Sequence, residues 1–159
     1  MDATRQARRA DDGFTIVEVM VVVLVIGVLI AIALPMFLGA KARAEERRAE
    51  AQLRTGITAG LTYWIDGATF TGLDAGCSAM PDSCSVANTT ESSVTWVGPG
   101  APADVQVSIV FATGNNLLLV ARSVTGEYFC LAQRTGQSDR GRGAAFADVD
   151  EVPECVGGW

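Results

Sequence analysis

The chain has 159 residues, a formal net charge of −6 and no histidine. The lack of histidine excludes Ser–His and Cys–His nucleophilic pairs and imidazole metal sites. An acidic chain is also a poor general binder of nucleic-acid backbones, which need clustered Lys and Arg. No phosphate loop or dinucleotide fingerprint is present, so we expect a protein that is not an enzyme. Two interpretations remain for Arg134, Arg140 and Arg142: they form a local basic patch, or they lie in a solvated loop.

An apolar segment with a single ionisable side chain follows the short charged N-terminus. Residues 14–34 span 21 positions, enough to cross the roughly 30 Å hydrocarbon core of a bilayer as a helix. Glu18 is the one carboxylate in this segment. An ionised group there costs at least about 2.5–3.5 kcal/mol, so Glu18 needs a partner. A secretory signal peptide is a poorer interpretation, because its apolar core has only about 7–15 residues. A plain membrane anchor with an accidental glutamate is the other alternative.

This N-terminus resembles the prepilin signature of type IV pilins and pseudopilins. Gly13 ends a hydrophilic leader, Phe14 follows it, Glu18 is the fifth residue after that junction, and Pro35 lies about six helical turns after Phe14. The resemblance covers roughly residues 9–65. It implies that a membrane-embedded prepilin peptidase cleaves between Gly13 and Phe14, and that the new Phe14 amine is then methylated.

The exposed amine would give Glu18 a partner in a neighbouring subunit. An axial stagger of about four residues, roughly 6 Å along a helix, brings the two groups together. Buried ion pairs add little net stability but can fix register, so we expect Glu18 to select the assembly geometry. Pro35 and Gly27 are the expected weak points of the helix, since proline lacks an N–H and glycine costs about 1 kcal/mol relative to alanine.

The apolar periodicity predicts an α+β fold, and the resemblance implies that this fold is pilin-like. One helix is expected over residues 14–66, with a transmembrane half to about residue 38 and an amphipathic half that packs on a small antiparallel sheet. The expected packing face consists of Leu53, Ile57, Leu61, Trp64 and Ile65. Residues 67–93 are expected to be a loop, and residues 134–159 a Gly- and Asp-rich tail that returns to Cys155. Strand signals lie at 94–97, 105–111, 117–122 and 128–133.

The expected domains are a cleaved leader (1–13), the long helix (14–66) and an extracellular β-rich head (67–159). Four cysteines in a small tethered domain favour disulfides and an oxidising compartment. Of the three possible connectivities we favour the one in which both pairs are close in sequence, Cys77–Cys84 and Cys130–Cys155. Zinc is the poorer interpretation, because no two cysteines have zinc-ligand spacing.

The last acidic run of the chain is a weak calcium candidate. Hard oxygen ligands suit calcium, and the resemblance adds that major pseudopilins carry calcium in their C-terminal region. A solvated acidic loop is the alternative, and no other cofactor is expected. The residues concerned are Asp148, Asp150, Glu151 and Glu154.

The sequence therefore predicts a structural subunit that polymerises through its N-terminal helix into an extracellular type IV pilus-like filament. Its expected partners are further copies of the chain, the membrane before assembly, prepilin peptidase, and pilus or secretion machinery. The chain is expected to span the inner or cytoplasmic membrane once, with its N-terminus in the cytoplasm, and then to join a filament on the cell surface. The alternatives are a major pseudopilin for type II secretion or DNA uptake, and a monomeric membrane-anchored extracellular binding domain.

Overall fold

The computed structural model describes residues 13–77 and 84–159. The chain divides between Ala40 and Lys41 into two compact units, each of which is described by itself. The fold is α+β, with a long N-terminal helix and a five-stranded, mostly antiparallel sheet. The expected fold class is thus confirmed.

The long helix, α1, spans Ile16–Gly67 and continues through Pro35. The expected bounds were 14–66, so the prediction is close at both ends. Just beyond Gly67 the chain leaves the helix through Ala68, whose φ of 53° is left-handed. The Ala68 amide donates to the Trp64 carbonyl at 2.6 Å, which satisfies one of the last carbonyls of the helix.

The sheet strands lie side by side in chain order. The first two are parallel, and the other neighbours are antiparallel. The strands are β1 (Trp96–Val97), β2 (Val107–Thr113), β3 (Asn116–Arg122), β4 (Tyr128–Arg134) and β5 (Gln137–Gly143). The expected three-strand meander is present as β2, β3 and β4.

Three elements were not expected. A short helix, α2 (Ser85–Thr90), lies in the segment assigned to a loop, and both β5 and a 3-10 helix (Phe146–Asp148) lie in the segment assigned to a tail. β5 has no apolar residue, and it forms because β4 and the Thr135–Gly136 turn position its backbone for pairing. Gly141 in β5 also lets the C-terminal segment approach, since a Cβ there would lie 2.7 Å from both backbone N and O of Val156.

α1 packs on the sheet through small residues, so the expected face was partly wrong. Its buried residues are Ala49, Leu53, Gly56, Ala59 and Gly60. Ile65 is 75% exposed and Leu61 37% exposed. The reason is steric: a Cβ at Gly60 would lie 2.5 Å from Leu117 Cδ2, so larger side chains cannot face the sheet there.

A β-bulge changes the alternation of β2. Ile109 pairs with Leu119 while Phe111 pairs with Leu118, which leaves Val110 as the extra residue. A one-residue shift moves all later side chains to the opposite face. In a regular strand Phe111 would share the buried face of Val107 and Ile109, but after the bulge it is 43% exposed, and Ala112 joins the core against α1 instead.

The sheet is covered on both faces. One apolar cluster includes α1 residues together with Leu117, Leu119 and Phe129. A second cluster on the other face joins Leu118 and Val120 to residues of the C-terminal segment. The expected disulfides are both formed, Cys77–Cys84 and Cys130–Cys155, and the second holds this segment against β4.

Candidate functional site

The first turn of α1 is organised by Thr15, which precedes the helix. The backbone amide of Glu18 donates to Thr15 Oγ1 at 3.2 Å and to the Thr15 carbonyl at 3.1 Å. Thr15 is therefore the N-cap residue. The sequence interpretation missed this role, although Thr-x-x-Glu before an apolar run is the capping-box pattern. A carboxylate in the first turn also interacts favourably with the helix dipole.

The predicted processing site lies directly before this cap. Gly13, Phe14 and Thr15 are not helical and are exposed, Phe14 to 74%. The rest of the expected leader, residues 1–12, lies outside the described residues. The Gly13–Phe14 bond thus lies in an exposed segment that precedes the helix.

The assembly residues predicted from the sequence lie along one exposed apolar segment. Glu18 is exposed, and among the described residues no salt bridge involves it. A Cβ at Gly27 would meet nothing within 4 Å, and Pro35 lies in the helix without ending it. In the described part of the chain, α1 is the one helix that is long and apolar enough to cross a membrane. Its apolar residues up to Leu38 are all exposed, so they contribute nothing to a core within this chain.

The weak calcium candidates do not form a cluster. Asp148 Oδ2 accepts a hydrogen bond from the Ala145 amide at 2.8 Å. Asp150 and Glu151 instead line an apolar groove beside Phe111. Within residues 13–77 and 84–159, no group of three or more potential ligands is placed to hold a metal ion. The described geometry gives no support to the calcium expectation.

The three arginines near the C-terminus do not act as one basic patch. Arg134 pairs with Asp139 across the β4–β5 turn. The Arg134 guanidinium, hydrogen-bonded to Asp139, holds the pKa of that carboxyl below its usual value, and a hydrogen bond from Gln137 adds to this effect. Arg140 lies 5.3 Å from the ring centroid of Trp159. Two of the three cations are thus engaged within the head.

Comparison with known proteins adds one match. Residues 8–34 match the family model described as the prokaryotic N-terminal methylation motif. No curated protein and no solved structure matches the chain. The matched range includes Gly13, Phe14, Glu18 and Gly27, and it ends one residue before Pro35. The chain therefore carries the type IV pilin and pseudopilin signature, which supports a pilin-like structural subunit.

Proposed function

We propose that this chain is the structural subunit of an extracellular type IV pilus-like filament. It is cleaved between Gly13 and Phe14 and polymerises through the first part of α1. One observation carries the proposal: Glu18 is the single carboxylate in an apolar helical segment whose side chains are all exposed.

The energetics of that segment favour helix association. An exposed run from Phe14 to Leu38 requires lipid or other apolar helices around it, since fully burying one large aliphatic side chain is worth about 1.5–3 kcal/mol. Lipid satisfies the apolar residues but leaves Glu18 with a substantial insertion cost. A bundle of identical helices provides an apolar environment for these side chains and also a charge partner for Glu18, because the amine created at Phe14 of a neighbouring copy is a cation. Glu18 then fixes the register between neighbouring copies.

The proposal includes the following organisation. Residues 1–13 form a leader that prepilin peptidase removes, residues 14–66 the assembly helix, and residues 67–159 the exported head. The subunit crosses the inner or cytoplasmic membrane once with its N-terminus in the cytoplasm. Pilus or secretion machinery then extracts it into the filament. The two disulfides support export of the head, because such bonds persist in oxidising compartments.

The test is mass spectrometry of the protein from membranes and from material sheared off the cell surface. A chain that begins at Phe14, with a methylated amine and present in the sheared fraction, supports a surface filament. Processed protein confined to membranes would favour the pseudopilin alternative. A chain that retains residues 1–13 in functional cells would favour the monomeric anchored domain.

The register role of Glu18 gives a direct prediction. We expect Glu18→Ala and Glu18→Gln to lower the filament yield by at least about tenfold, because each leaves the Phe14 amine buried without its partner. Membrane insertion should persist, since both changes remove a charge from the apolar segment. The measurement is immunoblotting of the sheared and membrane fractions.

Thr15→Ala is the matched control for the same helical turn. It removes the N-cap hydroxyl, worth about 0.5–2 kcal/mol, but retains the carboxylate. We expect its filament yield to stay close to that of the wild type. Normal filaments from Glu18→Ala would contradict the register argument.

A further inference from the structure

The face of the sheet opposite α1 contains a groove, here called the outer groove. Its volume is about 280 Å³. Its floor is apolar, and two carboxylates lie along it. The lining residues are Val110, Phe111, Leu118, Asp150, Glu151, Val152 and Pro153.

The outer groove exists because of the bulge in β2. The extra residue Val110 turns Phe111 onto this face, where it remains 43% exposed. The carboxylates of Asp150 and Glu151 take part in no salt bridge among the described residues. The groove therefore combines exposed apolar surface with unpaired negative charge. A ligand that fits this groove has extended aliphatic groups that contact the apolar floor and positive charges that pair with the carboxylates.

The same chain carries a segment with those properties, here called the basic band. Its residues are Lys41, Arg43, Arg47 and Arg48, all exposed on α1. Within the described residues none of the four forms a salt bridge, whereas Arg54 pairs with Glu50 at 3.6 Å. Lysine and arginine bury their aliphatic stems on apolar surface while their charged ends stay at its edge. This matches an apolar floor with carboxylates beside it.

The charge distribution points to a second copy of the chain as the source of this segment. Residues 41–54 contain five basic and three acidic residues, while the chain from Asp66 onward contains four arginines and eleven carboxylates. The acidic head is repelled by anionic lipid surfaces. The basic band and the acidic head have opposite charge, so in an array of identical subunits they attract each other between copies.

We infer that the outer groove of one subunit binds the basic band of a second copy, an inference that rests on the proposed filament function. Exposed ion pairs contribute only about 0–1 kcal/mol each. Their effect is on orientation and partner choice, because mismatched charges at an interface are strongly disfavoured. The contact therefore sets how heads are placed once the N-terminal helices have associated.

The chain offers an unusually specific test, because Lys41 is its only lysine. A carbodiimide joins an amine to a carboxylate without a spacer, so it links Lys41 only to a carboxylate in direct contact. Both the sheared filaments and the membrane fraction are treated, and covalent dimers are isolated and mapped by peptide mass spectrometry. We expect dimers in which Lys41 of one copy is joined to Asp150 or Glu151 of another. Lys41→Arg is the matched control, since it keeps the charge and removes the reactive amine.

The outcomes separate this inference from the proposed function. Filaments whose Lys41 is linked only to other carboxylates, or not linked at all, would overturn the groove assignment while the filament proposal stands. Linked dimers confined to membranes, with no sheared filament, would support the groove and contradict the surface filament. Groove carboxylates linked to lysines of a different protein would also overturn the assignment.

A charge swap gives an independent measurement. We expect Glu151→Arg to lower the filament yield by about tenfold, because the reversed charge repels the basic band instead of pairing with it, and Arg48→Glu in the same chain to restore it. Glu127→Arg, which makes the same charge change on the β3–β4 loop, should leave the yield unchanged. Equal yields from Glu151→Arg and Glu127→Arg would contradict the inference.

Discussion

Single residues decide how closely α1 approaches the sheet. A Cβ at Gly56 would lie 3.1 Å from Leu119 Cδ1 and 3.1 Å from Trp96 Cη2, and the space at Gly60 is smaller still. The apolar spacing in the sequence predicts a packing face near these positions. It assigns that face to the larger apolar side chains and not to the two glycines. Periodicity reports which residues are apolar, and it does not report the helix–sheet distance. That distance depends on Leu117 and Leu119 in β3, which are remote in sequence.

Gly60→Val tests this contact. Valine adds atoms where Leu117 is already fully buried, so we expect a loss of about 1–3 kcal/mol in the free energy of unfolding. Ala51→Val on the exposed side of the same helix is the control, since it carries only the propensity cost of valine, about 0.5 kcal/mol. Chemical denaturation of the detergent-solubilised chain measures both. Equal stabilities of the two variants would show that the site can accommodate the side chain.

At the level of elements, prediction from the sequence worked where the signal is local. β3 and β4 are continuous apolar runs between turn residues, and their expected bounds are within one residue of the observed ones. β2 was located, but its bulge was not, because a bulge arises from pairing with β3. β5 was missed because it is polar and depends on β4 for its hydrogen bonds. Tertiary context overrides local preference in both cases.

The Cys130–Cys155 disulfide holds the C-terminal segment against the sheet. It closes a loop with a sequence separation of 25, and the chain-entropy model assigns such a loop about 3.5 kcal/mol. We expect Cys130→Ser with Cys155→Ser to destabilise the head by roughly that amount and to increase hydrogen exchange in the C-terminal segment. The amide to follow is Gly158, which donates to the Arg140 carbonyl at 2.8 Å.

Cys77→Ser with Cys84→Ser is the comparison for that experiment. The two cysteines are only 7 positions apart, so the expected loss is smaller, about 2.5 kcal/mol. Protection of Gly158 should be retained in this variant. Equal exchange at Gly158 in the two variants would contradict the assignment of the Cys130–Cys155 bond as the tether of the C-terminal segment.

At the level of the whole molecule, the N-terminal assembly segment can be predicted from the sequence, whereas the outer groove cannot. The assembly segment is contiguous, so Gly13, Phe14, Glu18 and Pro35 are recognisable by their resemblance to the prepilin signature. The outer groove brings β2 together with residues 150–153, and its shape depends on the bulge. Only the fold shows that Phe111 and Glu151 line one surface. Linear motifs can therefore be predicted from one sequence, whereas surfaces composed of distant segments cannot.

The division of the chain into two units leads to a prediction about truncation. The head core uses α1 residues from Ala49 onward, while the apolar residues before Ala40 are exposed. We therefore expect a fragment of residues 41–159, exported to an oxidising compartment, to be soluble without detergent and to unfold cooperatively. A fragment of residues 57–159 is the control, because it lacks Ala49, Leu53 and Gly56 and uncovers one face of the sheet. Gel filtration and thermal melting compare the two. Aggregation of the longer fragment, or a cooperative transition in the shorter one, would show that the head core does not depend on α1 in this way.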